Sequence, residues 1–255
     1  MLTLQGVSKR FSGLAALSQV SFSAGEGVIK GVIGPNGAGK TTLFNIITGV
    51  FPLTEGAVTF LGNEISGKKP EEIARLGISR TFQQAHLFKS LTVLENVMLG
   101  RHYRTRAEFV ACGLRLPWAR REEKAIRESS LDYLAMFGLT DKKDMIASKL
   151  PMGEQRYLEL ARALATEPKL LILDEPTSGL NDSERDEFRE SISQIRKKGI
   201  TLLVIEHHMK FIMELCDDIV VLNFGVKIAE GSPKEIQTSP KVIEAYLGTE
   251  ESIDP

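Results

Sequence analysis

Residues 31–42 read GVIGPNGAGKTT, and the order of elements around them decides the fold. Within the stretch, Gly34-Pro35-Asn36-Gly37-Ala38-Gly39-Lys40-Thr41 fits the pattern G-x-x-x-x-G-K-[ST]. A short β-rich run, GVIKGVIG (27–34), leads into it, and KTTLFNIITGV (40–50) leaves it with helical spacing. Strand, glycine loop and helix in that order form the setting in which this pattern binds phosphate. The glycines allow successive N–H groups to point into one concavity, and the following helix adds the positive end of its dipole. The expected cradle is Gly34, Pro35, Asn36, Gly37, Ala38, Gly39, Lys40, Thr41 and Thr42. In it Lys40 reaches the β- and γ-phosphates of a nucleotide, and the Thr41 hydroxyl ligates Mg²⁺.

Outward from this loop, the pattern separates into blocks. LLILDE (170–175), ITLLVIEH (200–207) and DIVVLNFG (218–225) are nearly unbroken apolar runs, as expected of parallel strands covered on both faces. MLTLQGV at the N-terminus alternates apolar and polar residues, and GAVTFLGNEI (56–65) reads as a hairpin with Gly62-Asn63 at its turn. From about Thr92 to Thr166 the spacing is mostly helical. The expectation is an α/β core of residues 1–83 plus 166–255, carrying an N-terminal antiparallel β subdomain and interrupted by a helical subdomain over 84–165.

The second chemical signal is Asp174-Glu175, which ends a fully apolar strand. Ligands of parallel α/β sheets sit just beyond that edge. Asp174 is positioned to hold Mg²⁺ and Glu175 to polarise an attacking water, because phosphoryl transfer needs an in-line nucleophile and charge neutralisation more than covalent chemistry.

Composition narrows the class. The chain has 255 residues, 42% hydrophobic and 25% charged, with a net charge of −1. That balance gives no electrostatic reason to bind nucleic acid. The N-terminus reads as a strand rather than an export signal, and no stretch approaches the ~18 apolar residues of a membrane span. Cys112 and Cys216 lack metal-ligand spacing and read as reduced, buried thiols. Met209, Met213 and Cys216 are spaced as a core-facing helical stripe. The basic cluster between Arg101 and Lys124 reads as a solvated helical face opposite Glu122, Glu123 and Glu128.

With both motifs in place, the whole chain resembles the ATPase subunits of ABC transporters, and most closely those of bacterial branched-chain amino-acid importers. SRTFQQAHLF (79–88), LPMGEQRYLELARAL (150–164), GLN (179–181), IEHHMKFIM (205–213) and AEGSPKEIQTSPKVIEAYLG (229–248) carry the resemblance. It implies a P-loop NTPase (RecA-like) core and ATP with Mg²⁺ as the ligands. It also implies that Phe11 stacks on adenine and that Gln83 touches the metal or the attacking water. His207, rather than its neighbour His208, takes the place of the histidine that contacts the γ-phosphate.

The resemblance further implies that two cassettes, identical or different, sandwich two ATP molecules. Pro151, Met152, Gly153 and Glu154 of one cassette then face the nucleotide of the other. Most relatives have Leu-Ser-Gly-Gly-Gln here, so the serine hydroxyl is replaced by Pro151. Backbone N–H groups of Met152 and Gly153 remain as donors, and Glu154 is expected to face the ribose. Asn181 stands where relatives more often have aspartate at the interface loop. The implied partners are transmembrane permease subunits and, indirectly, an extracytoplasmic solute-binding protein, at the cytoplasmic face of the plasma membrane. Alternatives are an importer ATPase for urea, amides or other amino acids, a non-transport ABC-type ATPase, and a non-hydrolysing ATP-dependent clamp. The single phosphate loop, the absence of a heptad arm and the presence of Glu175 and His207 weigh against the last two.

Overall fold

The computed structural model describes residues 1–81, 87–102 and 117–247. They form two compact units. One comprises Met1–Arg80, Lys169–Thr177 and the chain from Arg185 onward, and the other comprises Thr81–Pro168 and Ser178–Glu184.

In the first unit, strands β1 (Leu2–Phe11), β2 (Leu14–Ala24), β4 (Glu55–Phe60) and β5 (Asn63–Glu64) make an antiparallel sheet of order β2-β1-β4-β5. The β4–β5 turn differs from the sequence expectation by one residue. Phe60 pairs with Asn63, so Leu61 and Gly62 occupy the turn, both at positive φ (51° and 78°). A two-residue hairpin of this twist requires φ > 0 at both central positions. Leu61 accepts that conformation although leucine carries no turn signal, and the Asn63 side chain donates to its carbonyl at 3.2 Å.

The second sheet of this unit is six-stranded, in the order β10 (Val226–Gly231), β9 (Asp218–Asn223), β3 (Ile29–Ile33), β8 (Thr201–Ile205), β7 (Leu170–Asp174), β6 (Ile78–Arg80). All neighbours are parallel except β10, which returns antiparallel along β9. Every residue of β3, β7 and β8 is buried. These runs are continuous rather than alternating because both faces of the sheet are covered, and the core on one of them draws on α1 and on Leu4, Phe22 and Val58 of the antiparallel sheet. Helix α1 (Lys40–Ile47) contributes Leu43, Phe44, Ile46 and Ile47 to a core shared with Val32, Ile172, Leu203 and Val220. Since β3, β8 and β7 are neighbours, the segments after them emerge side by side at the carboxyl edge of the sheet, where such folds place their ligands.

Past Arg185 lie α7 (Met209–Leu215), α8 (Pro233–Thr238) and α9 (Pro240–Leu247). Helix α8 begins with a capping box in which Ser232 and Glu235 satisfy each other's backbone donors. The expected core stripe of α7 is rotated. Phe211, Ile212, Leu215 and Cys216 are buried, whereas Met209 and Met213 are half-buried and line a groove with Ile236 and Val242. Sequence spacing gave the right helix and the buried Cys216 but not the burial of the two methionines, because Phe211, Ile212 and Leu215 take the contact side. Burial, with Asp217 and Asp218 beside it, pushes the Cys216 thiol pKa far up, so this cysteine is an inert packed group. Cys112 lies outside the described residues.

The second unit is helical. Helices α3 (Val93–His102), α4 (Pro117–Met136) and α5 (Met152–Ala165) enclose Val93, Val97, Leu134, Leu158 and Ala161. Two further α-helices are described: α2 (Pro70–Leu76) in the first unit, and α6 (Asp182–Lys197), which follows Asn181. Of the basic cluster, Arg101 pairs with Glu167 and Lys124 with Glu128, while 103–116 lie outside the described residues. Among the described residues no helix is long and apolar enough to cross a membrane.

Candidate functional site

The loop after β3 can exist only with glycine at two of its positions. A Cβ on Gly34 (φ 151°) would lie 2.1 Å from the Leu222 carbonyl oxygen, and one on Gly39 (φ 100°) would lie 2.7 Å from that of Ala16. Both distances are far inside van der Waals contact, so the loop packs backbone to backbone against β9 and β2. Helix α1 starts at Lys40 directly after the left-handed Gly39, and its first-turn N–H groups face the loop's concavity.

Lys40 Nζ donates to the carbonyls of Gly34 (2.6 Å) and Pro35 (2.9 Å) and is 8% exposed. Burial lowers its pKa, opposed by the charges of Glu175 and Asp174. A buried ammonium held, among the described residues, by carbonyl oxygens, beside an N–H-lined loop, fits a ligand that is anionic. The loop opens on a cleft of about 530 Å³ bounded by residues 36–42, Leu14, Ala15, Ala16, Glu175 and Phe224.

Asp174 ends β7 and is 6% exposed. Arg80, at the end of the neighbouring β6, donates from Nη2 to Asp174 Oδ2 at 2.6 Å and from Nη1 to Asn45 Oδ1 at 2.7 Å. One guanidinium therefore ties the carboxylate to α1, the helix that carries Lys40 and Thr41. Sequence reading missed both Arg80 and Asn45. Arg80 stands within SRTFQQ but has no motif of its own, and only the β6–β7 pairing reveals its target.

Glu175 follows with φ at 46°, a left-handed conformation that a non-glycine residue rarely takes, and its N–H donates to the Ile205 carbonyl at 2.9 Å. The bend turns its side chain out of the strand's alternation and onto the cleft. Backbone strain of this kind concentrates at functional sites.

His207 emerges after β8, with Nδ1 at 3.8 Å from Glu175 Oε2. Its imidazole is 63% exposed, and the backbone beneath it is fixed by Glu206. That residue, 1% exposed, accepts from the N–H groups of His207 (2.9 Å), His208 (3.1 Å) and Thr177 (3.0 Å), and from the Thr177 hydroxyl. One buried carboxylate thus joins the turn after Glu175 to the turn carrying the histidines, a second residue that sequence reading did not single out. His208 points elsewhere: its Nε2 lies 3.2 Å from Arg185 Nη1.

One expected residue is not in this gathering. Phe11 is 39% exposed but does not line the cleft. Its ring meets Phe51 edge-on at 5.3 Å, with Lys9 Nζ 4.9 Å from its centroid. Gln83 lies outside the described residues.

In the helical unit, Pro151 is the N-cap of α5 (φ −52°, ψ 152°) and Met152 its first helical residue. Met152 is 66% exposed, and Gln155 folds back to donate from Nε2 to the Leu150 carbonyl at 2.8 Å. Glu154, expected to face a ribose, is held in an ion pair with Lys142. Asn181 N-caps α6: its Oδ1 accepts from the Glu184 N–H (3.0 Å), and its own N–H donates to the Glu184 carboxylate (2.8 Å). An asparagine performs this capping as well as an aspartate.

Comparison with known proteins agrees with this geometry. The ABC transporter family model matches residues 17–178, and a model described as branched-chain amino acid ATP-binding cassette transporter matches 226–252. The high-affinity branched-chain amino acid transport ATP-binding protein BraF of Pseudomonas aeruginosa is 41% identical over 249 residues, 97% of this chain and 98% of that protein. Among solved structures, the ADP conformation of MJ1267, an ATP-binding cassette of an ABC transporter, superposes with a TM-score of 0.85 at 34% identity, covering 97% of this chain and 98% of that one. A dimeric post-hydrolysis state of the cassette MJ0796, bound to ADP and Pi, gives 0.77 at 26% identity over 91% of this chain and 99% of that one. The chain belongs to the ABC transporter family as an ATP-binding cassette, an ATPase grouped with the branched-chain amino acid transport ATP-binding proteins.

Proposed function

We propose that this cassette hydrolyses Mg²⁺-ATP to drive uptake of amino acids, branched-chain ones first, as a peripheral subunit on the cytoplasmic face of permease partners served by a solute-binding protein. The observation that carries the reading is the convergence of Lys40, Asp174, Glu175 and His207 from three adjacent strand ends.

Each residue has work suited to its position. The backbone N–H groups of the glycine loop, residues 36–42, and the Lys40 ammonium hold the phosphates, and leaving the Gly34 and Pro35 carbonyls for a phosphate returns Lys40 a full counter-charge. Mg²⁺ characteristically takes one or two protein ligands and completes its shell with phosphate and water, which suits Thr41 and Asp174. When bound, it neutralises charge developing on the phosphates. Glu175, aimed at the cleft, orients the attacking water and accepts its proton. His207 then donates toward the terminal phosphate, its ring kept near Glu175 by the Glu206-braced turn. Gln83 is assigned to the same water or metal.

A second cassette closes the site with its residues 150–154, presenting the Met152 and Gly153 N–H groups and the start of α5. ATP can favour that closed dimer only because it contacts the closed state better than the open one. Branched-chain solutes rest on the names of the relatives, since the solute itself never touches a cassette. The experiment is reconstitution with the permease subunits and solute-binding protein in liposomes. Phosphate release stimulated by leucine, isoleucine or valine supports the reading; stimulation only by urea, amides or other amino acids replaces the solute.

A further inference from the structure

The turn joining β9 to β10 consists of Phe224 and Gly225, because Asn223 pairs directly with Val226. Both turn residues have positive φ, 45° and 79°. Such turns take Asn, Asp or Gly, whose side chains tolerate the left-handed region, and a bulky ring there is unusual. The ring is also 81% exposed, so packing does not explain it.

Its position is fixed from both sides. Gly225 N–H donates to the Ala38 carbonyl in the phosphate loop at 3.0 Å, and Ser18 N–H donates to the Gly225 carbonyl at 2.8 Å. The hairpin tip is therefore fastened to the loop that cradles phosphate, and Phe224 forms part of the wall of the same cleft. Leu14, 74% exposed, lines that wall as well. The cleft therefore combines the N–H groups and Lys40 of the phosphate loop with exposed apolar surface from Leu14 and Phe224. Phe11, 39% exposed, does not line this cleft and has its ring engaged with Phe51 and Lys9 instead.

We infer that Phe224 is a nucleoside-contacting residue, its ring packing on the purine or ribose of a nucleotide whose phosphates occupy the loop. The inference rests on the nucleotide-site reading and extends it to a residue outside the phosphate motifs. An aromatic face on an exposed base discriminates nucleotides from bare phosphates while adding nothing to phosphate affinity. This gives Phe224 a signature that a merely structural turn residue lacks.

The test is calorimetric titration of the full-length chain with ADP and, separately, with inorganic pyrophosphate, for wild type, Phe224→Asn and Phe224→Trp. Asparagine suits the turn, so the first variant should fold at least as well as wild type. Its ADP affinity should fall about fivefold, the size of an aromatic contact, with pyrophosphate affinity unchanged. Phe224→Trp should keep ADP affinity and change its fluorescence on adding ADP, after subtraction of the wild-type signal. An Asn variant that binds ADP as wild type does, or loses pyrophosphate in the same proportion, overturns the inference. A wild-type chain that binds neither ligand overturns the nucleotide-site reading together with it.

Discussion

Arg80 Nη2 lies 2.6 Å from Asp174 Oδ2, and each side chain is only 9% exposed. The arginine thereby fixes the carboxylate that the proposed mechanism assigns to the metal, and links it through Asn45 to α1. Removing one member of such a pair leaves the other charge buried without its partner, at a cost of about 3 kcal/mol or more. Arg80→Met should lower unfolding stability by roughly that amount. Combining it with Asp174→Asn should recover much of the loss, as measured by urea denaturation. Equal, additive losses would show that the two residues act independently.

Lys40 predicts a pH dependence with a definite sign. Its pKa is lowered in the folded chain by burial, so the unfolded state binds more protons between that depressed value and the ordinary 10.5. The charged side chain therefore costs stability at neutral pH, and the cost is relieved as pH rises through this window. Lys40→Met should be more stable than wild type at pH 7, with the difference shrinking toward pH 10, and should lose nucleotide binding. Thermal unfolding without nucleotide across that range checks the sign.

Asn181 caps α6 through Glu184. Asn181→Asp should leave stability within a few tenths of a kcal/mol, and Asn181→Ala should lose about 1 kcal/mol. Denaturant midpoints distinguish these outcomes from a purely interfacial role, which would leave the isolated chain's stability unmoved in both variants.

At the start of α5, a Cβ on Gly153 would meet the Glu184 carboxylate at 3.6 Å and Leu180 Cδ2 at 3.8 Å, ordinary contacts that leave room for a side chain. Gly153→Ala should fold normally. Gly153→Asp places a charge beside Glu184 and toward the partner's phosphates, a repulsion of roughly 4 kcal/mol at about 4 Å. It should abolish ATP-driven dimerisation in size-exclusion chromatography. Pro151→Ser returns a hydroxyl at the N-cap and should leave activity intact or raise it, a hydrogen bond being worth about 1 kcal/mol.

The motifs that were legible in the sequence are those whose chemistry is local. Gly34 to Thr41 are consecutive, and Asp174-Glu175 ends an unmistakable apolar run, so strand, loop and role could be read together. Arg80 and Glu206 were not legible, because each acts on a partner distant in the chain, 94 and 29 positions away. Phe224 was hidden for a different reason: an aromatic residue in a two-residue turn contradicts turn preference, and only the register of β9 with β10 exposes it. The rotated methionines of α7 show the limit of helical periodicity, which gives spacing but not which of two apolar stripes faces the sheet.

The central claim, that Glu175 sits in an ATPase site completed by a second cassette, is tested most directly by phosphate release from Mg²⁺-ATP over a range of protein concentrations. Wild type should show a specific activity that rises with protein concentration, and Glu175→Gln should fall by about 10² or more, the usual share of a positioned acid–base group. A specific activity that is independent of concentration and unchanged in Glu175→Gln would contradict the account.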